Sequence, residues 1–455
     1  MQLLDYPETK YLDLAEGAIG RVPAAFRELF PGKTALPVAD MNTWYAAGRD
    51  LYGALRGAGI STHKPHVFFE SPPASEASVR EMLAAIDAAD AEPETEGGVI
   101  LLAIGSGTIS DLCKRASFLR ERPYFCFATA ASEDGFASFG APITDDGGFK
   151  ITLPCPAPRG IAADPAILER APKVLTSSGY GDLFGKYTAG ADWVLASLVT
   201  DEDPIHPQAW ALVHDQLHAR TVHPKELADG ETAPLTDLFE GLVSSGFAMQ
   251  VARSSRPASG TEHHYSHAWE MAHLKGPDGR EPSHGHKVAL GSVCTLLAYI
   301  KLFEKPFTRD DVPAALAAYP DWSAREQFVR SLFPAGPLCE AVLTECKAKQ
   351  LDPAALRARL ERVADTWDTI RDRVDEQLMY LPRMKAMLDC AGCPTTPAQL
   401  GLTPERAAAT TFAAQMIRRR YTVLDLAYET GRLPEVAAAV AEGLAVLQGA
   451  RAPRA

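Results

Sequence analysis

Cysteine is scarce. Eight residues in 455 are too few for the disulfide framework of a secreted domain, and they suit a reducing compartment. No apolar run approaches the roughly 20 residues needed to cross a bilayer. The N-terminus, MQLLDYPETKYLDLAEG, lacks the basic-then-apolar pattern of an export signal. Positive charge is short as well: 45 Lys and Arg stand against 58 Asp and Glu, a formal charge of −13. That balance disfavours nonspecific contact with nucleic acid or an anionic membrane, although a local basic pocket for a small anion is compatible with it. A cytoplasmic protein with no nucleic-acid partner and no membrane insertion is expected. What is present is ordinary globular material, 46% hydrophobic and 23% charged. A chain of this size buries about three quarters of its extended surface, so its core needs no staples.

Two textures divide the chain. From Thr34 to about Ala171, short apolar runs alternate with helical spacing. TALPVAD (34–40), HVFFE (66–70), GGVILLAIG (97–105), YFCFATA (124–130) and GFKITL (148–153) read as strands. Their alternation with helices predicts a parallel sheet covered on its faces. GFKITLPCPAPRGIAAD reads as a hairpin or edge pair that closes this unit. After Ser177 long helical runs dominate, among them DLFGKYTAGADWVLASLV, PLTDLFEGLVSSGFAMQVA, HKVALGSVCTLLAYIKLF and PERAAATTFAAQMIRRRYTVLDLAYETG. The expectation is an α/β Rossmann-like domain over 1–172 and an all-α domain over 173–455, with the active site in the cleft between them.

Three clusters carry chemistry. Gly105-Ser106-Gly107-Thr108 leads through to Asp111, directly after the strand VILLAI and at the opening of a helix. Small residues there let the backbone approach a pyrophosphate, and the helix start supplies N–H groups. Ser110 stands where a full GxGxxG would have its third glycine, so a plain tight turn is the competing account. The second cluster is His263, His264, His267, His273, His284 and His286, half of the twelve histidines. His263 and His267 fall on one helical face, and His284 opens a helix whose dipole favours the neutral ring. His264, His273 and His286 read as exposed or supporting residues. The third is Ser177-Ser-Gly-Tyr-Gly-Asp182, read as a turn that opens a helix. Asp182 is then either a carboxylate matched to the dipole or the oxygen ligand of an Asp/His/His metal set. Spacing alone does not bring residues 182, 263 and 284 together. Cys390-Ala-Gly-Cys393 has no partnering CxxC or histidine pair, and it reads as incidental thiols.

Together GSGTISD, TAASEDG (129–135), SSGYGDLFGKYTAGADW (177–193), SRPASGTEHHYSHAWEM (255–271), HGHKVALG (284–291) and the late IRRRYTVLDLA resemble the sn-glycerol-1-phosphate dehydrogenase family. The likeness is closest to its bacterial branch, within the iron-containing alcohol dehydrogenase and dehydroquinate synthase-like superfamily, and runs from about 20 to 440. It implies NAD or NADP as cofactor and one divalent ion per chain, zinc, nickel or iron. It assigns the Gly105–Asp111 turn, Thr129, Ser132 and Ser138 to the cofactor, and Asp134 and His267 to substrate. Asp182, His263 and His284 become the metal ligands, with Asp182 also touching substrate. Arg256, or less directly Lys186, is the expected anchor for a substrate phosphate. A segment at 201–232 has no assigned role.

The implied reaction is hydride transfer between a nicotinamide and C2 of dihydroxyacetone phosphate, giving sn-glycerol 1-phosphate. The substrate partner is thus a phosphorylated triose, and a homo-oligomer, dimer or higher, is expected. The alternatives are a lyase-cyclase of the dehydroquinate synthase type, a dehydrogenase of unphosphorylated glycerol or another polyol, and a noncatalytic nucleotide-binding relic. Asp40 closes the strand TALPVAD, and no basic residue follows in Met41-Asn42-Thr43. An acid there accepts from ribose hydroxyls and repels a 2′-phosphate, unless it only caps the next helix. NADH should therefore give the higher kcat/KM, and an equal or higher value with NADPH would refute the assignment.

Overall fold

The computed structural model describes residues 8–93, 95, 97–146 and 150–449. The first seven residues and Gly148–Phe149 of the expected strand lie outside that description. The strands are β1 (Tyr11–Asp13), β2 (Thr34–Asp40), β3 (His66–Phe68), β4 (Val99–Gly105), β5 (Phe125–Ala128), β6 (Ala141–Thr144), β7 (Lys150–Leu153) and β8 (Gly160–Ala163). The helices used below are α1 (Ala18–Leu29), α2 (Arg49–Gly57), α3 (Glu76–Asp90), α4 (Gly107–Leu119), α5 (Lys173–Phe184), α6 (Lys186–Val199) and α7 (Thr232–Ala252). They continue with α8 (Thr261–Met271), α9 (His284–Phe303), α10 (Pro337–Lys349), α11 (Pro353–Asp375), α12 (Pro404–Met416), α13 (Val423–Glu429) and α14 (Leu433–Leu447).

The chain divides into two compact units, Met1–Leu183 with Ala211–Ser255, and Phe184–Trp210 with Arg256–Ala455. In the first, six strands pair in parallel in the order β1-β8-β5-β4-β2-β3. β2 and β4 are buried at every position, as expected of strands covered on both faces. Val22 and Phe26 of α1 and Leu51 and Leu55 of α2 pack with Leu102, Ile104, Phe125 and Phe127 in one apolar cluster.

The sheet reverses direction between β2 and β4. After β2 the chain moves outward to β3 and then returns to the other side of β2 as β4, with Val38 opposite Ala103. Ligands of open parallel sheets bind beyond the strand ends at such a reversal. Asp40 ends β2 and Gly105 ends β4, so both stand at that point.

The expected hairpin is not formed. Lys150–Leu153 pairs backward and antiparallel with Ala141–Thr144, while Gly160–Ala163 enters the main sheet between β1 and β5. β8 is only four residues, Gly-Ile-Ala-Ala, all buried and paired on both sides. Ser177–Asp182 is likewise no turn. It lies inside α5, and Asp182 sits in the last turn of that helix rather than its first. Gly179 is there for close approach, since a Cβ on it would fall 2.0 Å from the Ala131 carbonyl oxygen.

The second unit is helical, and no strand follows β8 among the described residues. The run from Pro404 to Gly431 breaks into α12 and α13 because Thr422 and Asp425 form a capping box that starts a new helix. α9 is the one described helix long and apolar enough to cross a membrane by composition, and 78% of its apolar window is buried inside the protein. All eight cysteines are free thiols, with Cys390 exposed and Cys393 buried.

Gly179→Ala should destabilise the protein by about 1–3 kcal/mol, because helix backbone meets loop backbone there. Gly53→Ala, where nothing lies within 4 Å of the added carbon, should be neutral or raise Tm slightly. Thermal melts of the two variants check the contrast.

Candidate metal centre and cofactor turn

α8 starts after Gly260, and the i,i+4 spacing places His263 and His267 one turn apart, with ring centroids 6.2 Å apart. α9 starts at the residue after Ser283, whose hydroxyl accepts from His286 N–H. Its first residue, His284, lies 5.2 Å from His263 and 5.9 Å from His267, ring to ring. α8 and α9 reach this contact because Gly291 has no side chain: a Cβ there would sit 2.4 Å from the Glu262 carbonyl oxygen.

Each ring is held by a carboxylate. His263 Nδ1 lies 2.8 Å from Glu262 Oε1, which also accepts from Gly260 N–H, while Glu262 Oε2 accepts from the Thr188 hydroxyl. Glu270 serves two rings, with Oε1 3.0 Å from His284 Nδ1 and Oε2 3.2 Å from His267 Nδ1. Lys287 Nζ lies 3.2 Å from the same Oε1. A carboxylate on Nδ1 fixes the tautomer and leaves the Nε2 lone pair for a cation or substrate. Burial pushes the Glu262 carboxyl up, but the bonds from His263 and Gly260 outweigh it and hold it below the usual range. Burial pulls the His267 ring down to about 3, against the pull of Glu270.

Asp182 is fully buried, and its Oδ2 accepts from the Asp134 N–H at 2.9 Å. The Asp134 carboxylate in turn accepts from the Ser245 hydroxyl at 2.7 Å. Asp182, His263 and His284 each offer one ligand atom, and the three atoms lie within 4.8 Å of one another. One oxygen and two imidazole nitrogens, with both rings braced at Nδ1, fit a single divalent ion with open positions.

The turn expected to take the cofactor is built where the sheet reverses. Thr129 N–H donates to Gly105 C=O at 3.1 Å, and the Ser106 and Ser132 hydroxyls lie 3.0 Å apart, which ties the loops after β4 and β5 together. Thr108 is exposed on the first turn of α4. A Cβ on Gly107 would lie 2.0 Å from Glu133 Oε1. An anionic oxygen thus already rests against the helix start, the place a pyrophosphate needs. Asp111 is buried 3.6 Å from Lys114, and the Ser138 hydroxyl donates to Gly135 C=O. Asp40 caps the next helical turn through Thr43 N–H and accepts from the Ser71 hydroxyl at 2.5 Å.

A model of the iron-containing alcohol dehydrogenase family matches residues 13–172. Glycerol-1-phosphate dehydrogenase (NAD(P)+) of Bacillus velezensis is 35% identical over 311 residues, 66% of this chain and 76% of that protein. The chain belongs to the glycerol-1-phosphate dehydrogenase family. The Geobacillus thermodenitrificans member is 29% identical over 414 residues, covering 88% of each chain. A probable glycerol dehydrogenase of Sinorhizobium meliloti shares the fold, with a TM-score of 0.61 at 17% identity over 98% of this chain and 99% of that one.

In this glycerol-1-phosphate dehydrogenase family member Arg256 is buried, and its Nη2 donates to the carbonyls of Asp192 and Tyr421 at 2.7 and 2.8 Å. That is the backbone-satisfying role open to a loop arginine. Lys186 is also buried, but it opens α6 beyond Gly185, so it shares no helix with Asp182. His264 is buried rather than exposed, while His273 is exposed. Glu262, Glu270 and Asp192 were not singled out from the sequence. The first two had a signal: Glu262 adjoins His263, and Glu270 follows His267 at i,i+3.

His263→Ala should lose bound metal on dialysis, as read by elemental analysis, and turnover with it. Full occupancy would overturn its assignment. His267→Ala should keep the metal and lose activity. Glu262→Gln should weaken metal affinity by about 10–100-fold, because the ring loses its anchor.

Proposed function

We infer that this chain interconverts sn-glycerol 1-phosphate and dihydroxyacetone phosphate with NAD(P) and a divalent metal. The observation that carries the reading is the Asp182/His263/His284 donor set in a chain 35% identical to a glycerol-1-phosphate dehydrogenase over three quarters of that protein's length. Zinc, nickel and iron(II) all suit its donors.

When bound, the ion supplies Lewis-acid polarisation of a carbonyl oxygen and the nicotinamide supplies the hydride. The chain's own residues do the rest. Glu262 and Glu270 hold three imidazoles in one tautomer, so Nε2 of His263 and His284 remains a donor lone pair. The neutral His267 presents Nε2 to a substrate hydroxyl and holds it by a hydrogen bond. Asp134, fixed by Ser245, accepts from a second hydroxyl, and its own N–H keeps Asp182 in orientation. The loops after β4 and β5 seat the dinucleotide through Gly105, Ser106, Gly107, Thr129 and Ser132. Placing the reacting carbon against the cofactor in this way accounts for much of the attainable acceleration. A cytoplasmic setting belongs to the same reading, and the eight free thiols suit its reducing conditions; a homo-oligomer is part of that reading too.

NADH oxidation with dihydroxyacetone phosphate, dihydroxyacetone and a seven-carbon keto acid phosphate separates the possibilities. The first should give the highest kcat/KM. Preference for unphosphorylated dihydroxyacetone would make the chain a polyol dehydrogenase, and redox-neutral consumption of the keto acid phosphate would make it a lyase-cyclase.

A further inference from the structure

The segment IRRRY (417–421) leaves α12 and passes the start of α8. α12 runs antiparallel to α8: Trp269 Nε1 donates to the Thr410 hydroxyl at 3.0 Å, and the Tyr265 and Thr411 hydroxyls lie 2.6 Å apart. Met416 and Ile417 are buried in one apolar cluster with Ala268 of α8 and Val342, Leu343 and Cys346 of α10. Three residues on, Arg420 Nη1 donates to the carbonyl of Ser259, just before α8 begins, at 2.6 Å. Arg418 is therefore carried along the flank of α8 between those two fixed points.

The three consecutive arginines do not share a direction. Arg419 is exposed and turned to α10, where its N–H donates to Glu345 at 2.7 Å and its guanidinium lies 3.3 Å from the same carboxylate. Arg420 goes to the start of α8. Arg418 is partly buried, yet among the described residues it makes no hydrogen bond and no ion pair. The carboxylates in its neighbourhood are Glu345 and Glu270. Glu345 is engaged by Arg419, and Glu270 by His267, His284 and Lys287. The charges of Arg420 and Arg418 both act on His264, which is buried with neither ring nitrogen hydrogen-bonded among the described residues. On a helix, residues 264 and 267 are i,i+3 neighbours. The unpaired ring therefore stands beside the histidine assigned to substrate.

We propose that Arg418 and Arg420, with the His264 ring, form the subsite that receives the phosphate monoester of the substrate, beside His267. The inference rests on the functional reading above, and it names the residues that would make the enzyme select a phosphorylated triose. A guanidinium with no ion pair in a partly buried place, as Arg418 has, is costly unless an anion joins it. Burial and the neighbouring charges of Arg256 and Arg418 pull Arg420 down to about 9, the behaviour of cations crowded together. A dianion would relieve that repulsion, and guanidinium forks match phosphate oxygens in pairs. Arg256, pinned to two carbonyls, adds its charge to that of Arg420.

Arg418→Gln tests this directly, because a side chain without protein partners can be neutralised without loss of folding contacts. KM for dihydroxyacetone phosphate should rise about 10–100-fold, while kcat/KM for unphosphorylated dihydroxyacetone stays the same. Arg418→Lys should recover part of the loss. Calorimetric titration with inorganic phosphate gives a readout independent of turnover, and its affinity should fall by a similar factor in Arg418→Gln. An unchanged KM and unchanged phosphate binding, or equal losses on both triose substrates, would overturn the subsite. If the wild-type protein ignores dihydroxyacetone phosphate but loses phosphate binding on Arg418→Gln, the substrate reading fails and the subsite stands.

Discussion

A buried carboxylate at the foot of α8 holds the helical unit's contribution to the site in place. Asp192 sits inside α6 with no exposed surface. Its Oδ2 accepts the Thr261 N–H at 2.7 Å, while its Oδ1 accepts the Tyr299 hydroxyl at 2.6 Å and the Val423 N–H at 2.8 Å. One side chain thus ties together the starts of α8 and α13 and the C-terminal part of α9. Burial and the nearby Glu262 charge raise it to about 6, against the hydrogen bonds that favour the ionised form. Sequestering such a charge costs several kcal/mol. The compensation is geometric as well as energetic, since two helix starts present free N–H groups and positive partial charge to it.

Around that anchor, close approach is bought with missing side chains. Gly260 leaves room for Asp192, where a Cβ would sit 2.7 Å from Oδ2. Gly291 lets α9 lie on the backbone of α8, and in the first unit Gly246 lets α7 lie against Ala137, with 2.5 Å to that side chain. The glycines at these places answer to packing, since none of them adopts a left-handed conformation.

That distinction explains what could be read in advance. β2 and β4 were legible because each is seven buried apolar-rich residues bounded by turns, and α14 was legible from its unbroken Leu/Val/Ala spacing. The Ser177–Asp182 segment misled because glycines and serines signal a turn locally, whereas Gly179 lies inside a helix for a tertiary reason, its close approach to Ala131. β8 misled because its partners are 32 or more residues away in the chain, beyond any local pattern. The histidine cluster was visible by composition, but only resemblance joined Asp182 to it. Glu262 and Glu270 could have been found by asking what holds each ring's second nitrogen. No such question reaches Asp192, since residues 192, 261, 299 and 423 meet only through the fold.

Glu270 has a consequence beyond orientation. One carboxylate is divided between the ring proposed to bind metal and the ring proposed to bind substrate, one oxygen to each. Its orientation cannot suit one ring without constraining the other. The two occupancies then share a thermodynamic cycle: whatever factor the ion adds to substrate affinity, substrate returns to ion retention. Where the ion raises substrate affinity, an enzyme without substrate gives up its metal more readily than one that holds it.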